Sequence, residues 1–341
     1  MDKTRSKIKK LGELLKGKSS MVILMQDNPD PDAIGSAMAL RKFANSVADV
    51  ACSITCGGTV GRAENRALVR YLDVRLRPFG EIDFERFDLA AMVDTQPGTG
   101  NNSLPAGRIA DIVIDHHPVM RATRSAAFTD IRTGYGATAT IMWEYFMRVG
   151  ITPDTQLATA LLYAIRSDTQ DFGREASRHD IDAVVHLFPI ANNRILGQIR
   201  RGSVDRPYFQ MLATALQNAR VYGDCIIAGL GEMTNPDMAG EVADLLIREE
   251  GTKCTVCFGS SGKKMLLSIR TSEPDGRADK VIKQIVSARG TAGGHRMFAG
   301  GQIALVEGSE SERLMIEGAI IRRCISVLGL DKSSEKKLVD T

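Results

Sequence analysis

Short apolar runs alternate with longer stretches of helical period through the first half of the chain. Val22–Met25, Val50–Thr55, Leu89–Val93 and Ile109–Ile114 are largely apolar runs bounded by polar or turn residues, the pattern of strands buried on both faces. Between and after them, Ala33–Val47, Glu64–Tyr71, Ala137–Val149 and Thr155–Ile165 repeat apolar residues at helical spacing. Strands alternating with helices predict an α/β domain whose mostly parallel sheet is covered by helices on both faces. In such sheets the chemistry sits beyond the carboxyl ends of the strands. Ahead of this unit, Met1–Lys16 reads as an amphipathic helix with Leu11, Leu14 and Leu15 on one side.

The pattern changes after about residue 190. Ile195–Phe209, with Gly202, Pro207 and several arginines, reads as a connector leading into a helix. Strands are predicted at Asp224–Gly229, Lys253–Phe258, Lys264–Arg270 and Gln302–Val306. Helices are predicted at Met238–Glu250, Ala278–Arg289 and Ser309–Leu328, and a glycine-rich turn at Gly290–Gly301. The expected organisation is a first α/β domain over 1–192 and a connector or hinge over 193–214. A smaller α/β domain with a mixed sheet follows over 215–330, then a polar tail over 331–341.

Composition narrows the function classes. With 43% apolar and 25% charged residues the chain can bury a large core, and it is neither disordered nor fibrous. A net charge of +3 is too small for a protein that lives on duplex DNA by phosphate neutralisation, so no stable duplex binding is expected. Aromatics make up 5%, with the single Trp143, which weighs against stacking platforms for long single strands. The apolar run Met21–Met25 is too short for a signal peptide or a membrane span, so no membrane partner and a cytoplasmic location are expected. Cys52/Cys56 and Cys254/Cys257 lie in strand-like stretches. They read as buried thiols in a reducing compartment rather than a zinc site.

The chemistry-bearing residues recur at strand ends. Asp30 and Asp32 follow the first predicted strand, with Gly35 and Ser36 opening the next helix; alone they would read as a turn and a helix cap. Asp94 closes the third strand, Asp115-His116-His117 closes the fourth, and Asp168 follows the helical run Leu157–Ser167. Carboxylates gathered this way repel unless a cation lies between them. Oxygen ligands with one or two imidazoles suit Mn²⁺ or Mg²⁺, and with less preference Co²⁺ or Zn²⁺. A pair of such ions roughly 3.5–4 Å apart generates a hydroxide and stabilises the entering and leaving oxygens at phosphorus.

In combination, Asp30-x-Asp32, Asp94, Asp115-His116-His117 and Asp168 resemble the motifs of the DHH phosphoesterase family. That family includes RecJ-like exonucleases, family II inorganic pyrophosphatases and small oligoribonuclease/phosphoadenosine-phosphate phosphatases. Ala292-Gly-Gly-His-Arg-Met-Phe-Ala-Gly300 and Leu267-Ser-Ile-Arg270 resemble the glycine-rich signature and the arginine-bearing strand of the DHH-associated domain. The resemblance implies a hydrolase of phosphoric esters using two divalent ions, Mn²⁺ foremost. Asp30 and Asp94 would hold the first ion, and Asp32, Asp94, His116 and Asp168 the second, with Asp94 shared. His117 would meet the scissile phosphate or protonate the leaving oxygen, and Asp115 would orient an imidazole. Arg270, Gly293, Gly294 and His295 would hold the substrate's far phosphate across a cleft between the domains. The implied substrates are short oligonucleotides or small nucleotides, attacked by a metal-bound hydroxide; self-association is left open.

One position departs from the family pattern. Gln26 stands where a His ligand of the first ion is usual, and a neutral amide oxygen is the poorer ligand. Two alternatives therefore stay beside the phosphoesterase reading: a partly degenerate nucleotide-binding protein, and an exopolyphosphatase-like hydrolase. The lysine-rich C-terminal motif of family II pyrophosphatases is not found, and there is no room for the oligonucleotide-binding barrel of the longer RecJ-like enzymes.

Overall fold

The computed structural model describes residues 3–294 and 296–339. Its chain divides into two compact units, Met1–Ser203 and Val204–Thr341. Among the described residues no helix is long and apolar enough to cross a membrane.

The first unit opens with α1 (Lys3–Leu15), β1 (Ser20–Leu24), α2 (Pro31–Ala48), β2 (Ala51–Thr55), α3 (Ala63–Tyr71), β3 (Leu89–Val93), β4 (Ile112–Asp115) and β5 (Phe128–Ile131). It continues with the helices α4 (Thr138–Val149), α5 (Thr155–Asp168), α6 (Arg178–Leu187) and α7 (Asn193–Arg200). The five strands form a fully parallel sheet in the order β2-β1-β3-β4-β5, as strands buried on both faces require. Because β2 and β3 lie on opposite sides of β1, the strand order reverses there. The crevice beyond the carboxyl ends of β1 and β3 is the place where such sheets bind ligands.

Sequence explains the elements that shape that crevice. Asp30 caps α2 by accepting the Ala33 N–H at 2.9 Å, Pro31 follows at the first helical position, and Asp49 ends the helix in a left-handed conformation. The side of α2 that faces α5 is small. A Cβ on Gly35 would stand 3.1 Å from Ala164 Cβ and 3.3 Å from the Ala160 carbonyl, so the two helices meet almost backbone to backbone. Gly35→Val is expected to destabilise the protein by about 1–3 kcal/mol through overpacking. Urea-unfolding midpoints test this, and an unchanged midpoint would mean the helices part freely.

The second unit contains α8 (Arg206–Asn218), β6 (Arg220–Tyr222), β7 (Cys225–Glu232), α9 (Met238–Leu246), β8 (Cys254–Ser261), β9 (Lys264–Thr271), α10 (Ala278–Val286), β10 (Gly290–Gly294), β11 (Phe298–Ala304), α11 (Glu310–Leu328) and the short β12 (Lys336–Lys337). Its sheet runs β10-β11-β9-β8-β7-β6-β12. It is mixed: β7 and β8 are parallel and the other pairs antiparallel. A mixed sheet was the expectation for this unit.

Several local expectations are corrected. The segment read as a glycine-rich turn is mostly sheet. Gly290–Gly294 is the edge strand β10, and β11 begins at Phe298 rather than Gln302. Glycine is needed for that pairing: Gly294 has φ +146°, and a Cβ there would lie 2.4 Å from the Ala299 Cα. The stretch from Ile195 to Phe209 is not a plain connector, since α7 covers its start and α8 its end. Asp168 is the last residue of α5 rather than the first residue beyond it. The strand before the two histidines begins at Ile112, and α9 stops at Leu246.

Candidate metal centre

The crevice at the strand ends collects residues far apart in sequence. Asp30 and Asp32 enter at the start of α2, Asp94 directly after β3, Asp115 at the end of β4 with His116 and His117 behind it, and Asp168 at the end of α5. Ligand-type atoms of Asp94, Asp115, His116 and His117 lie within 4.8 Å of one another, and so do those of Asp32, His116 and Asp168. His116 belongs to both sets and joins them.

Each carboxylate is fixed by the fold. Asp32 is buried and accepts the backbone N–H groups of Thr138 at 2.7 Å and Ala139 at 2.8 Å, both at the start of α4. That helix end thus aims its partial positive charge at the carboxylate. Asp94 is also buried and sits at φ +55°, a conformation sparsely used by residues with a Cβ, with its carboxylate accepting the Thr138 hydroxyl at 3.2 Å. Strain of this kind persists where surrounding contacts hold a side chain for a task. Asp115 accepts the Gln96 amide at 2.8 Å and the His117 N–H at 3.1 Å.

The two imidazoles are held in defined states. His116 Nδ1 lies 3.1 Å from the Tyr135 carbonyl, an acceptor only, so Nδ1 carries the proton and donates it. In a neutral ring this leaves a lone pair on Nε2. That atom is buried and without a hydrogen bond, although it stands 3.0 Å from Asp168 Oδ2 and 3.5 Å from Asp94 Oδ1. A lone pair facing two carboxylate oxygens is tenable only if a proton or a cation lies among them. Without a metal, a proton takes that place: burial pulls the His116 pKa down, but Asp168, Asp32 and Asp115 outweigh it and push it up to about 10. His117 Nδ1 donates to Asp115 Oδ1 at 2.9 Å and lies 3.7 Å from Asp94 Oδ1.

The carboxylates show the same unbalanced charge. Burial, then repulsion from Asp168, raises Asp30, and the same two causes push Asp32 up to about 7. Asp94 is raised well above the ordinary range by burial and by Asp32, Asp30, Asp115 and Asp168. Asp168 resists its own burial and falls below its usual value because His116 pairs with it. Buried oxygens that repel one another, with an imidazole lone pair among them, are a donor set suited to divalent metal. The residues present fit the group.

Gln26 lies just past β1, and its Oε1 accepts a long hydrogen bond of 3.4 Å from the Asn101 amide. Asp27 does not take the place of the missing imidazole: its carboxylate accepts the Ser103 hydroxyl at 2.8 Å. Gln96, which the motif reading passed over, is fully buried. It donates to Asp115 and to the Pro118 carbonyl, and accepts from the Met120 N–H and the Thr123 hydroxyl. It ties the loop after β3 to the loop carrying His116 and His117. Nothing in its neighbours' sequence marks a neutral amide for that role.

In the second unit, Arg270 on β9 is mostly buried and is held by Asp244 of α9, by the Ser268 hydroxyl at 2.6 Å and by the Ile269 carbonyl at 3.0 Å. Gly293 and Gly294 lie exposed on the edge strand β10. His295 lies outside the described residues.

Fold and site define a two-unit α/β protein with an acidic–imidazole centre at the switch point of a parallel sheet. The chain belongs to the DHH family: residues 20–165 match the DHH family N-terminal domain and residues 223–317 match the DHHA1 domain. It is 35% identical over 94% of its length to an uncharacterized protein of Methanocaldococcus jannaschii. It is 27% identical over 50% of its length to a probable manganese-dependent inorganic pyrophosphatase of Bacillus cereus. The chain spans 66% and 55% of the lengths of these two relatives. A solved exopolyphosphatase-related protein of Bacteroides fragilis has the same fold, with TM-score 0.72 at 14% identity over 95% of this chain and 98% of that one.

Proposed function

We propose that the protein is a metal-dependent phosphoesterase that hydrolyses phosphate esters of short oligonucleotides or small nucleotides. The observation that carries this reading is the buried Nε2 of His116, 3.0 Å from Asp168 Oδ2 and 3.5 Å from Asp94 Oδ1, among carboxylates that repel one another unless a proton or a cation lies between them. Asp30, Asp32, Asp94, His116 and Asp168 would hold two divalent ions, with Mn²⁺ the first choice in keeping with the name of the Bacillus cereus relative. When bound, such ions supply Lewis acidity at phosphorus and ease removal of a proton from water.

The chain's own groups do the rest. The α4 N-terminus and the Thr138 hydroxyl keep Asp32 and Asp94 from turning away, so the donor set is preformed. Asp115 holds His117 through Nδ1 and so orients the ring that would contact a phosphate oxygen or pass a proton to the leaving oxygen. Gln96 keeps Asp115 in place for that task. In the second unit the exposed edge strand with Gly293 and Gly294 would offer backbone amides to a phosphate. A phosphate reaching Arg270 would compete with Asp244 for the guanidinium.

The test is a panel of linear dinucleotides, adenosine 3′,5′-bisphosphate, pyrophosphate and polyphosphate with Mn²⁺, run beside Asp94→Asn. Phosphate or nucleotide release from the nucleotides, absent in the variant, is the expected result. Turnover of polyphosphate alone would replace the substrate class, and release common to both proteins would mean contamination.

Gln26 provides a graded check. Gln26→His restores an imidazole at the end of β1 and is expected to tighten Mn²⁺ binding at least about tenfold, since metal affinity responds strongly to ligand type. Calorimetric Mn²⁺ titration reads this directly. Unchanged affinity would place Gln26 outside the ligand shell. If neither protein turned over any nucleotide, the degenerate binding-protein reading would win.

A further inference from the structure

A groove lies at the other end of the first unit's sheet. There the C-terminal half of α2, the start of β2, the residues after α3 and the start of α5 enclose a groove of about 350 Å³. Its floor is apolar, built from the buried Met38, Val50, Leu72 and Leu157. One wall carries Arg41 and Lys42. Arg41 is half-buried, and among the described residues neither side chain makes a hydrogen bond or an ion pair. Arg41 and Lys42 thus present two cations without a paired carboxylate, groups of the kind that meet a phosphate.

We infer that this groove binds a small organic anion of the nucleoside monophosphate class and acts as an effector site for the metal centre. The volume falls within the range of small-ligand sites. Arg41 and Lys42 both line the groove and supply cations for a phosphate, the apolar floor suits a ring, and the Asn45 and Gln156 amides offer both donors and acceptors to a base edge. Asp73 and Asp154 on the rim disfavour a longer polyanion.

The route to the metal centre is the same pair of helices. α2 starts at Pro31, capped by Asp30, and reaches the groove at Met38, six residues after Asp32 or about 9 Å along the axis. α5 starts in the groove at Gln156 and ends at Asp168. They touch closely at Gly35 and Ala164, so a ligand that moves one helix against the other changes the spacing of Asp32 and Asp168. A groove ligand with different affinities for the two spacings must couple to metal binding, and by linkage the metal couples to it equally.

The groove itself does not depend on the hydrolase reading; the coupling depends on metal binding. The experiment is calorimetric titration of the full-length protein with AMP, first in EDTA and then in Mn²⁺. In EDTA, one AMP should bind per chain and more tightly than inorganic phosphate. Arg41→Ala and the exposed Lys42→Ala should each weaken it at least tenfold, and Asp94→Asn should leave it unchanged. In Mn²⁺, AMP and the metal should alter each other's affinity by the same factor, and Arg41→Ala should remove that factor. No AMP binding in EDTA, equal binding by Arg41→Ala, or loss in Asp94→Asn would overturn the site. AMP binding with no effect on Mn²⁺ would overturn the effector role. Failure of Mn²⁺ to bind at all would sink the proposed function and leave the EDTA result standing.

Discussion

Asp94→Asn is expected to lower hydrolysis more than about 100-fold while making the metal-free protein more stable. Loss of a partner that merely orients a ligand costs 10–100-fold in affinity or activity, and a carboxylate shared by two ions should cost more. The stability gain follows from charge. Asp94 is buried among Asp30, Asp32, Asp115 and Asp168, all of which raise its proton affinity in the absence of metal. Asparagine removes one negative charge, still accepts the Thr138 hydroxyl, and tolerates φ near +55° better than most residues. A gain of about 1 kcal/mol corresponds to roughly 2–4 °C in Tm for a unit of this size. Thermal scans in EDTA and in Mn²⁺ check both halves: the variant should start higher and gain little from the metal. A variant that starts lower, and still gains as much from Mn²⁺ as the parent, would show that Asp94 is only a structural residue.

Arg132→Met is expected to destabilise the first unit by about 3–5 kcal/mol. Arg132 forks onto Asp130 with Nε at 3.1 Å and Nη2 at 2.7 Å, and reaches Glu144 with Nη1 at 2.8 Å. All three side chains are at most 13% exposed, so removing the cation leaves two carboxylates out of water without their partner. The same residues join α1, β5 and α4. Thr4 donates to Glu144 at 3.0 Å, Tyr145 donates to Asp130 at 2.7 Å, and Tyr135 donates to Glu144 at 2.9 Å. Tyr135 carries the carbonyl that fixes His116, so weaker Mn²⁺ binding should accompany the lower stability. Differential scanning calorimetry should show a fall of roughly 6–20 °C. The double variant with Asp130→Asn should recover part of it, because one stranded charge is gone. A fall below about 2 °C would mean that water already screens the network.

Much of the first unit could be read from sequence because its strands are buried on both faces and spell uninterrupted apolar runs. β5 escaped for the opposite reason. Its four residues Phe128–Ile131 include Asp130, which is buried only because Arg132 pairs with it. β10 escaped because glycine has no side chain to create a period, although the close pairing with β11 demands glycine there. At the site, the acidic and imidazole residues were legible as types at strand ends. Their supports were not. Thr138 and Ala139 meet Asp32 from more than a hundred residues away, and Gln96 is a neutral side chain whose role exists only once β3 and β4 lie side by side. Arg270 was legible as a strand arginine but not as the partner of Asp244, because that contact runs from β9 to α9.

Asp32, Asp94, His116 and Asp168 are held to share divalent metal, with the buried Nε2 of His116 among its ligands. Anomalous diffraction at the manganese edge, from crystals grown with Mn²⁺, measures this most directly. Two peaks are expected in the crevice, one of them within coordination distance of His116 Nε2, Asp32, Asp94 and Asp168. Empty density there at saturating Mn²⁺, with His116 still paired to Asp168, would contradict it.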